Sequence, residues 1–181
     1  SADGLKLYGG LDLSMRTDLT ALVLIGEQGG LWGVWPFFWT PEQGLHERAR
    51  RDREPYDVWA REGLLRTTPG ATVDYAFVLQ DITEILSDLG GDLVALAYDR
   101  YRIDLFKRDA EAMGIELPLE PYGQGYKDMA PALDALEAEL LNARLRHGMH
   151  PVLTMCARNA VVQHDPAGNR TGETRHGIGG E

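Results

Sequence analysis

Two aspartates of this sequence belong to apolar segments that are typical of buried β-strands. Asp12 lies in the segment 8–14, between Leu11 and Leu13, and Asp99 ends the apolar segment 93–98. A carboxylate in the interior of a sheet costs free energy unless it is paired or binds a cation. If the two strands are neighbours, both carboxylates face one cation, so the sequence predicts a metal site at Asp12 and Asp99.

The predicted chemistry is hydrolysis of a phosphodiester bond with Mg²⁺ or Mn²⁺. Hard cations prefer oxygen ligands, and in a site with two ions one activates water while the other stabilises the leaving oxygen. Each acid also has a structural interpretation: Asp12 as a cap of the turn at 14–18, and Asp99 as the cap of the helix that follows it. Their joint placement favours the metal site. Asp18 is predicted to cap the hairpin turn and not to bind an ion.

The elements that must position these acids indicate an α/β fold. Three strands are predicted to form an antiparallel meander, at 6–13, 19–25 and 31–39, with Pro36 at a sheet edge or a bulge. Helices and strands then alternate, with the strand of Asp99 beside the first strand and the next strand outside it. Strand order reverses between the first strand and the strand of Asp99, and α/β sheets bind ligands at such switch points.

The predicted helices follow capping and periodicity signals. Thr40 and Pro41 predict the start of a helical segment over 41–62 that breaks at Pro55. Spacings of three and four predict a helix at 74–89. A helix closed by Gly114 is predicted at 103–113, and Asp128 is predicted to cap a helix through Asn142. A strand is predicted at 115–120, a short helix or strand after Pro151, and a loosely ordered end from Gln163. The arginines at 48–53 are interpreted either as a solvated surface or as a contact to substrate.

Composition sets limits on the function. The chain has 181 residues, enough for one domain, and a formal net charge of −10, which by itself argues against non-specific attraction to nucleic acid or membranes. Its basic side chains are nearly all arginine, which suits bidentate phosphate contacts. No apolar run approaches the ~20 residues that cross a bilayer, which predicts a soluble protein without a membrane partner. No P-loop motif is present, so ATP hydrolysis of that kind is excluded.

Several short motifs, in order over residues 9–169, make the chain resemble a known family. The motifs include Gly9–Ser14 with Asp18–Ala21, Ala97–Arg100, Gln124–Tyr126, Leu145–Gly148 and Asp165–Asn169. The chain is similar to the C-terminal nuclease domain of the large terminase subunit of tailed phages.

The resemblance implies a ribonuclease-H-like fold, with a mixed central sheet flanked by helices. It also implies a metal-dependent endonuclease that cuts concatemeric double-stranded viral DNA during genome packaging. The implied partners are DNA, an N-terminal ATPase domain in the full-length protein, the portal and the small terminase subunit, in the cytoplasm of the host cell. The domain is predicted to span 1–169, with a flexible tail at 170–181.

Family nucleases use three acids, and the resemblance assigns Asp12 to the first and Asp99 to the second. The family's third acid lies in a segment like Arg-Ile-Asp-Gly, which has no counterpart here; Glu173 or Glu181 are the substitutes that this chain offers. By position, phosphate contacts are expected from four basic side chains: Arg16, Arg100, Arg102 and Lys127.

Two other functions stay open. One is a module that docks DNA or the portal with little cleavage, which the absent third acid favours. The other is a phosphotransferase of the actin and sugar-kinase type, whose first strand looks similar; that fold needs two such halves, and this length provides one.

Overall fold

A computed structural model of the chain describes residues 1–13, 18–100 and 103–174, with Glu173 and Thr174 described by their backbone alone. The strands are β1 Lys6–Asp12, β2 Thr20–Gln28, β3 Leu31–Pro41, β4 Arg66–Thr68, β5 Asp92–Asp99, β6 Leu119–Tyr122, β7 Leu145–Arg146, β8 Ala160–His164 and β9 Arg170–Thr174. The helices are α1 Leu45–Asp52, α2 Tyr56–Arg61, α3 Tyr75–Leu89, α4 Ile103–Met113, α5 Tyr126–Leu141 and α6 Pro151–Asn159.

The central sheet has the strand order β4-β3-β2-β1-β5-β6, and β7 also pairs with β3. β1, β2 and β3 are antiparallel, whereas β1–β5 and β5–β6 are parallel. The predicted meander, the position of the Asp99 strand beside β1, and the next strand outside it are therefore confirmed. The parallel pairs are joined through helices α3 and α4, as parallel strands require.

Each face of the sheet has its own apolar core. On one face, Leu11 and Leu22 pack with α3 and α4 around fully buried residues such as Phe106 and Ile82. On the other face, a smaller cluster joins Phe38 to the helices α2 and α6; its buried members are Phe38, Trp59, Leu65, Val152 and Met155. Because side chains of a strand alternate between faces, β2 and β3 contribute to both cores, whereas β1 contributes Leu7 and Leu11 to the first core.

The helices α3 and α4 confirm the helices predicted at 74–89 and 103–113. The Asp74 carboxylate accepts a hydrogen bond from the Phe77 amide at 3.1 Å and so caps α3. Gly90, in the left-handed region at φ 74°, ends α3 and donates its amide hydrogen to the Leu86 carbonyl. β5 lies between these two helices in the chain, so they position its last residue, Asp99.

The predicted helix start at Thr40 is wrong. Thr40 and Pro41 end strand β3, and α1 begins only at Leu45, after Gly44 in the left-handed region at φ 76°. The Thr40 hydroxyl accepts a hydrogen bond from the buried Arg48 guanidinium at 3.0 Å instead of capping a helix. Pairing of Thr40 with Thr67 of β4 extends the strand and so overrides the local capping signal. The predicted break at Pro55 is confirmed, because α1 ends before it and α2 begins directly after it.

Three smaller predictions differ from the structure. The sixth strand lies at Leu119–Tyr122, not at 115–120, and α5 begins at Tyr126, so Asp128 lies in its first turn instead of capping it. β3 is not a simple edge strand, because β7 and β4 pair with its two ends. Pro36 lies between these pairings, where among the described strands only β2 is a partner.

The end of the chain is more ordered than the sequence predicts. β8 and β9 form an antiparallel hairpin, so Arg170–Thr174, assigned to a flexible tail, are instead a strand. Asp165 closes the turn by accepting the amides of Ala167 and Asn169, and the Thr171 hydroxyl donates to the Gln124 carbonyl. The predicted tail at 175–181 lies outside the described residues.

Candidate metal site and nucleic-acid surface

Asp12 and Asp99 end two adjacent parallel strands at the same edge of the sheet. The β1–β5 register pairs Leu11 with Tyr98, and each aspartate is the next residue of its strand. Neighbouring strands lie about 4.8 Å apart, so the two carboxylates are within reach of one cation. The structure therefore places the two acids together, as the sequence predicted.

Both carboxylates project from the face of the sheet that α6 covers. Leu11 and Tyr98 are buried in the core against α3 and α4, and alternation turns the following residues to the opposite face. Asp12 pairs with Ala21, and Ala21 with Phe38, whose side chain belongs to the α2–α6 cluster. The acids thus lie on the α2–α6 side of the sheet.

The electrostatic environment raises the pKa of the Asp12 carboxyl. Partial burial is the largest cause, followed by the negative charge of Asp99 and then that of Asp18. The residue remains accessible to solvent at the end of its strand, so an ion can reach it. A divalent cation between these acids would neutralise the repulsion that raises this pKa. The donor set of carboxylate oxygens fits Mg²⁺ or Mn²⁺.

Asp18 is the acid whose proximity sequence reasoning missed. It was assigned to a turn cap, and most of that turn, 14–17, lies outside the described residues. Its effect on the pKa of Asp12 follows from the antiparallel β1–β2 pairing, which brings the start of β2 to the end of β1. In the described part of the chain, no group of three or more His, Cys, Asp or Glu side chains is arranged to hold a metal. Glu173 lies in β9, and Glu181 is not described.

The β5 strand is anchored behind the acids by a lysine. Lys107 of α4 donates a hydrogen bond to the Tyr98 hydroxyl at 2.8 Å, and its ammonium lies 4.8 Å from the centroid of the Tyr98 ring. This contact ties α4 to the residue that precedes Asp99. It restricts the position of the strand end, so the Asp99 backbone is held in place from the opposite face.

Cys156 of α6 is a structural neighbour of the acids. Burial raises the pKa of its thiol, and the negative charge of Asp12 raises it further. A thiol kept protonated is a poor nucleophile, so the chemistry of the site does not need Cys156. Cys156 packs in the same cluster as Ala21, the β2 partner of Asp12, so α6 flanks the acid pair, which no local pattern of the sequence indicated.

Two of the four predicted DNA-contacting residues are described. Both are exposed, and both follow strands that end beside the acids. Arg100 directly follows Asp99, and Lys127 lies in the first turn of α5, five residues after Tyr122, which pairs with Asp99. Arg16 and Arg102 lie outside the described residues. Within the residues that the structure describes, no helix is long and apolar enough to cross a membrane.

Comparison with protein families matches residues 2–173 to the terminase large subunit, endonuclease domain. The chain is 64% identical over 166 residues to the large terminase subunit of Enterobacteria phage HK97, covering 91% of this chain and 32% of that protein. It therefore spans about a third of the length of this relative.

Solved structures give the same result. The HK97 bacteriophage large terminase superposes with a TM-score of 0.90 at 61% identity, over 96% of this chain and 36% of that one. The large terminase nuclease of thermophilic phage G20c has a TM-score of 0.60 at 10% identity, over 95% of this chain and 74% of that one. A second G20c structure, with bound magnesium, has a TM-score of 0.53 at 10% identity, over 95% and 73% of the two chains. These matches confirm the ribonuclease-H-like fold.

Proposed function

We propose that this chain, which belongs to the endonuclease-domain family of terminase large subunits, hydrolyses phosphodiester bonds of double-stranded DNA with Mg²⁺ or Mn²⁺. The observation that carries the proposal is the placement of Asp12 and Asp99 on adjacent parallel strands, at one sheet edge and on one face. The raised pKa of Asp12 supports it, since burial and then the charge of Asp99 disfavour the free carboxylate, which a cation would stabilise.

Asp12 and Asp99 are the proposed ligands, and two ions are proposed for the complete site. When bound, divalent cations at such a site activate the attacking water and stabilise the leaving oxygen. The two strands hold the carboxylates at a fixed separation, so the site is preorganised and needs little rearrangement on binding. The magnesium bound by the G20c nuclease supports the choice of ion. Glu173 and Glu181 remain the candidates for a third acidic ligand.

DNA is proposed to reach the acids along the edge that carries Arg100 and Lys127, with Arg16 and Arg102 as further contacts. Arginine and lysine neutralise phosphates without reading base sequence, so these contacts position the duplex and confer no specificity. In a chain with a net charge of −10, such local positive groups are what brings a polyanion to an acidic site.

The biological setting is proposed from the family. The substrate is concatemeric viral DNA, cut during genome packaging in the cytoplasm of the host. The proposed partners are an ATPase domain of the full-length subunit, the portal and the small terminase subunit. The match to large terminase subunits supports a role in a packaging motor, since the chain corresponds to about a third of such a protein.

The test is nicking of supercoiled plasmid by the parent, Asp12→Asn and Asp99→Asn proteins in Mn²⁺ and in Mg²⁺. We expect cleavage by the parent and a loss of at least about 100-fold in each variant, because metal ligation contributes several kcal/mol to the transition state. Asp92→Asn is the matched control, because Asp92 is exposed at the opposite end of the same strand β5, and it should cleave like the parent.

Cleavage by the parent that survives both substitutions would refute the two-acid site. DNA binding without any cleavage by the parent would favour the alternative function, a module that docks DNA or the portal. In the described residues, the lack of a three-acid group is the observation that favours this alternative.

A further inference from the structure

The arginines at 48–53 do not form one solvated surface, because the structure gives them different partners. The buried Arg48 donates to the carbonyls of Gln43 and Pro41, at 2.7 and 2.5 Å, and so joins α1 to the end of β3. Arg51 forms two hydrogen bonds with the Asp52 carboxylate, at 2.7 and 3.1 Å. These two guanidinium groups are therefore occupied by the protein itself.

Arg50 and Arg53 are the remaining pair, and both are exposed. Neither forms a side-chain ion pair or hydrogen bond with any residue that the structure describes. Three positions apart at the end of α1, they lie on the same side of the chain. Both line an open groove of about 750 Å³ between α1 and α2.

The acids that also line this groove already have partners. Glu54 forms an ion pair with Arg158 of α6, and Asp57 lies 3.7 Å from the His46 imidazole. The groove thus presents two guanidinium groups that have no ion pair among the described residues, while its Asp57 is neutralised only when His46 is protonated. An anion that enters it meets guanidinium groups whose hydrogen-bond donors are not used by the described residues.

Sheet pairing places this groove close to the acid pair. Asp12 pairs with Ala21 and Ala21 with Phe38, so β3 passes the acid edge about 10 Å from Asp12, two strand spacings away. The chain leaves β3 at Pro41 and enters α1 four residues later. The groove therefore lies on the β3 side of the acids, whereas Arg100 and Lys127 lie on the β5–β6 side.

Two electrostatic links agree with this placement. Asp18, whose charge adds to the raised pKa of Asp12, also contributes to that of Arg51, which is raised mainly by the hydrogen bond to Asp52, so Asp18 is within electrostatic range of both groups. Burial, and then the negative charge of Asp12, raises the pKa of the Cys156 thiol in α6. Arg158, two residues further along α6, forms an ion pair with Glu54 of the groove. Two residues correspond to about 3 Å along a helix axis.

We propose that the groove of Arg50 and Arg53 is a phosphate-contacting surface that holds the DNA duplex on the β3 side of the cleavage site. β3 lies about 10 Å from β1, and α1, which lines the groove, follows the end of β3, so a duplex whose own grooves are about 6 and 12 Å wide extends beyond the acid pair toward α1. A duplex cut at Asp12 and Asp99 thus presents further phosphates to Arg50 and Arg53. The proposal rests on the proposed endonuclease function. It adds a second DNA-contacting surface, on the side of the acids opposite Arg100 and Lys127.

The test is the salt dependence of DNA affinity for the double variant Arg50→Gln/Arg53→Gln. Binding of a fluorescent duplex of about 20 base pairs is measured by anisotropy in Ca²⁺, at several salt concentrations. Each phosphate contact contributes about 0.9 to the slope of log affinity against log salt. We expect a slope smaller by about 1.8 and an affinity about 10- to 60-fold weaker at 0.1 M salt.

The matched control is Lys6→Gln/Arg108→Gln, which removes the same charge from exposed positions away from the groove. Lys6 begins β1, at the end opposite Asp12, and Arg108 lies on α4, across the sheet. The control should keep the parental slope and affinity. Binding of Mn²⁺, followed by calorimetry, should be the same in the groove variant as in the parent, because the acids are unchanged.

The outcomes separate this proposal from the function on which it rests. If the parent binds and cleaves DNA and the groove variant matches the control, the phosphate-contacting role of the groove is refuted. The proposed nuclease function is then unaffected. A parent that neither binds nor cleaves DNA refutes both. A groove variant with the smaller slope and unchanged Mn²⁺ binding supports the phosphate surface.

Discussion

Neutralising Asp12 is expected to stabilise this protein in the absence of metal, although it abolishes the proposed activity. The reason is that the folded state disfavours the Asp12 carboxylate, as its raised pKa shows: desolvation by burial is the largest cause, and repulsion by Asp99 and then by Asp18 adds to it. Carboxylates on neighbouring strands are about 5 Å apart, and at that distance Coulomb's law in a water-like medium gives about 1 kcal/mol. The water-like value applies because Asp12 is accessible to solvent. Asp12→Asn removes the charge and keeps the size.

The measurement is thermal unfolding in EDTA, followed by circular dichroism. For a chain of this length, a gain of about 1 kcal/mol raises Tm by roughly 2–4 °C. The matched control Asp92→Asn should leave Tm unchanged, since the pKa of Asp12 is raised by Asp99 and Asp18 and not by Asp92. A lower Tm for Asp12→Asn in EDTA would refute the repulsion.

The stability difference between Asp12→Asn and the parent changes sign when metal is added. A ligand at 100 times its Kd stabilises the folded state by about 2.7 kcal/mol, which exceeds the repulsion. The parent should therefore become more stable than Asp12→Asn in excess Mn²⁺. An equal Mn²⁺ shift in both proteins would show that Asp12 does not bind the ion.

The pH dependence checks the same reasoning. Because the folded state raises the pKa of Asp12, the folded protein takes up this proton more readily than the unfolded chain. The repulsion is present at neutral pH and is relieved as the pH falls through the raised pKa. In EDTA, the stability advantage of Asp12→Asn should therefore shrink as the pH falls, and an advantage that grows would contradict the assignment.

Three further predictions concern the scaffold. Asp81→Ala should cost about 1–3 kcal/mol in urea unfolding, because the Asp81 carboxylate accepts a 2.7 Å hydrogen bond from the indole N–H of the buried Trp39; an unchanged midpoint would refute this. Gly9→Ala should destabilise by about 1–3 kcal/mol, because its Cβ would lie 2.6 Å from a leucine methyl group of β5. Gly10→Ala, with nothing within 4 Å, is its control, and equal effects would contradict the packing argument. Burial lowers the pKa of His150, so the parent should lose stability relative to His150→Phe as the pH falls below about 6.5; parallel pH profiles in urea would disprove this.

The sequence by itself determined the elements that carry the acids. The apolar segments before Asp99 and around Asp12 predict strands of a buried sheet, and the predicted helix over 74–89 differs from α3 only in that Asp74 is its cap. These features depend on neighbours within one turn or one strand, so local patterns are sufficient. The strand order followed from the connections, since parallel strands joined by a helix allow few placements.

Tertiary structure decided what depends on contacts between distant residues. Thr40 has the pattern of a helix cap, but the buried Arg48 holds it at the end of a strand. The segment after Gln163 has the composition of a flexible tail, but it pairs as a hairpin and its Thr171 bonds to Gln124, 47 residues away. Thr40 also pairs with Thr67 of β4, so in both cases a contact with a residue distant in sequence outweighs the local preference.

The arginines at 48–53 show the same difference between sequence and tertiary structure, here for a functional surface. Their spacing shows four positive charges in six residues, but not that Arg48 is buried, that Arg51 is paired, or that Arg50 and Arg53 face a groove. The proximity of Asp18 to Asp12 is equally invisible in the sequence, because it arises from the antiparallel pairing of β1 with β2. Charge is a property of residues, whereas its compensation depends on which elements the fold brings together.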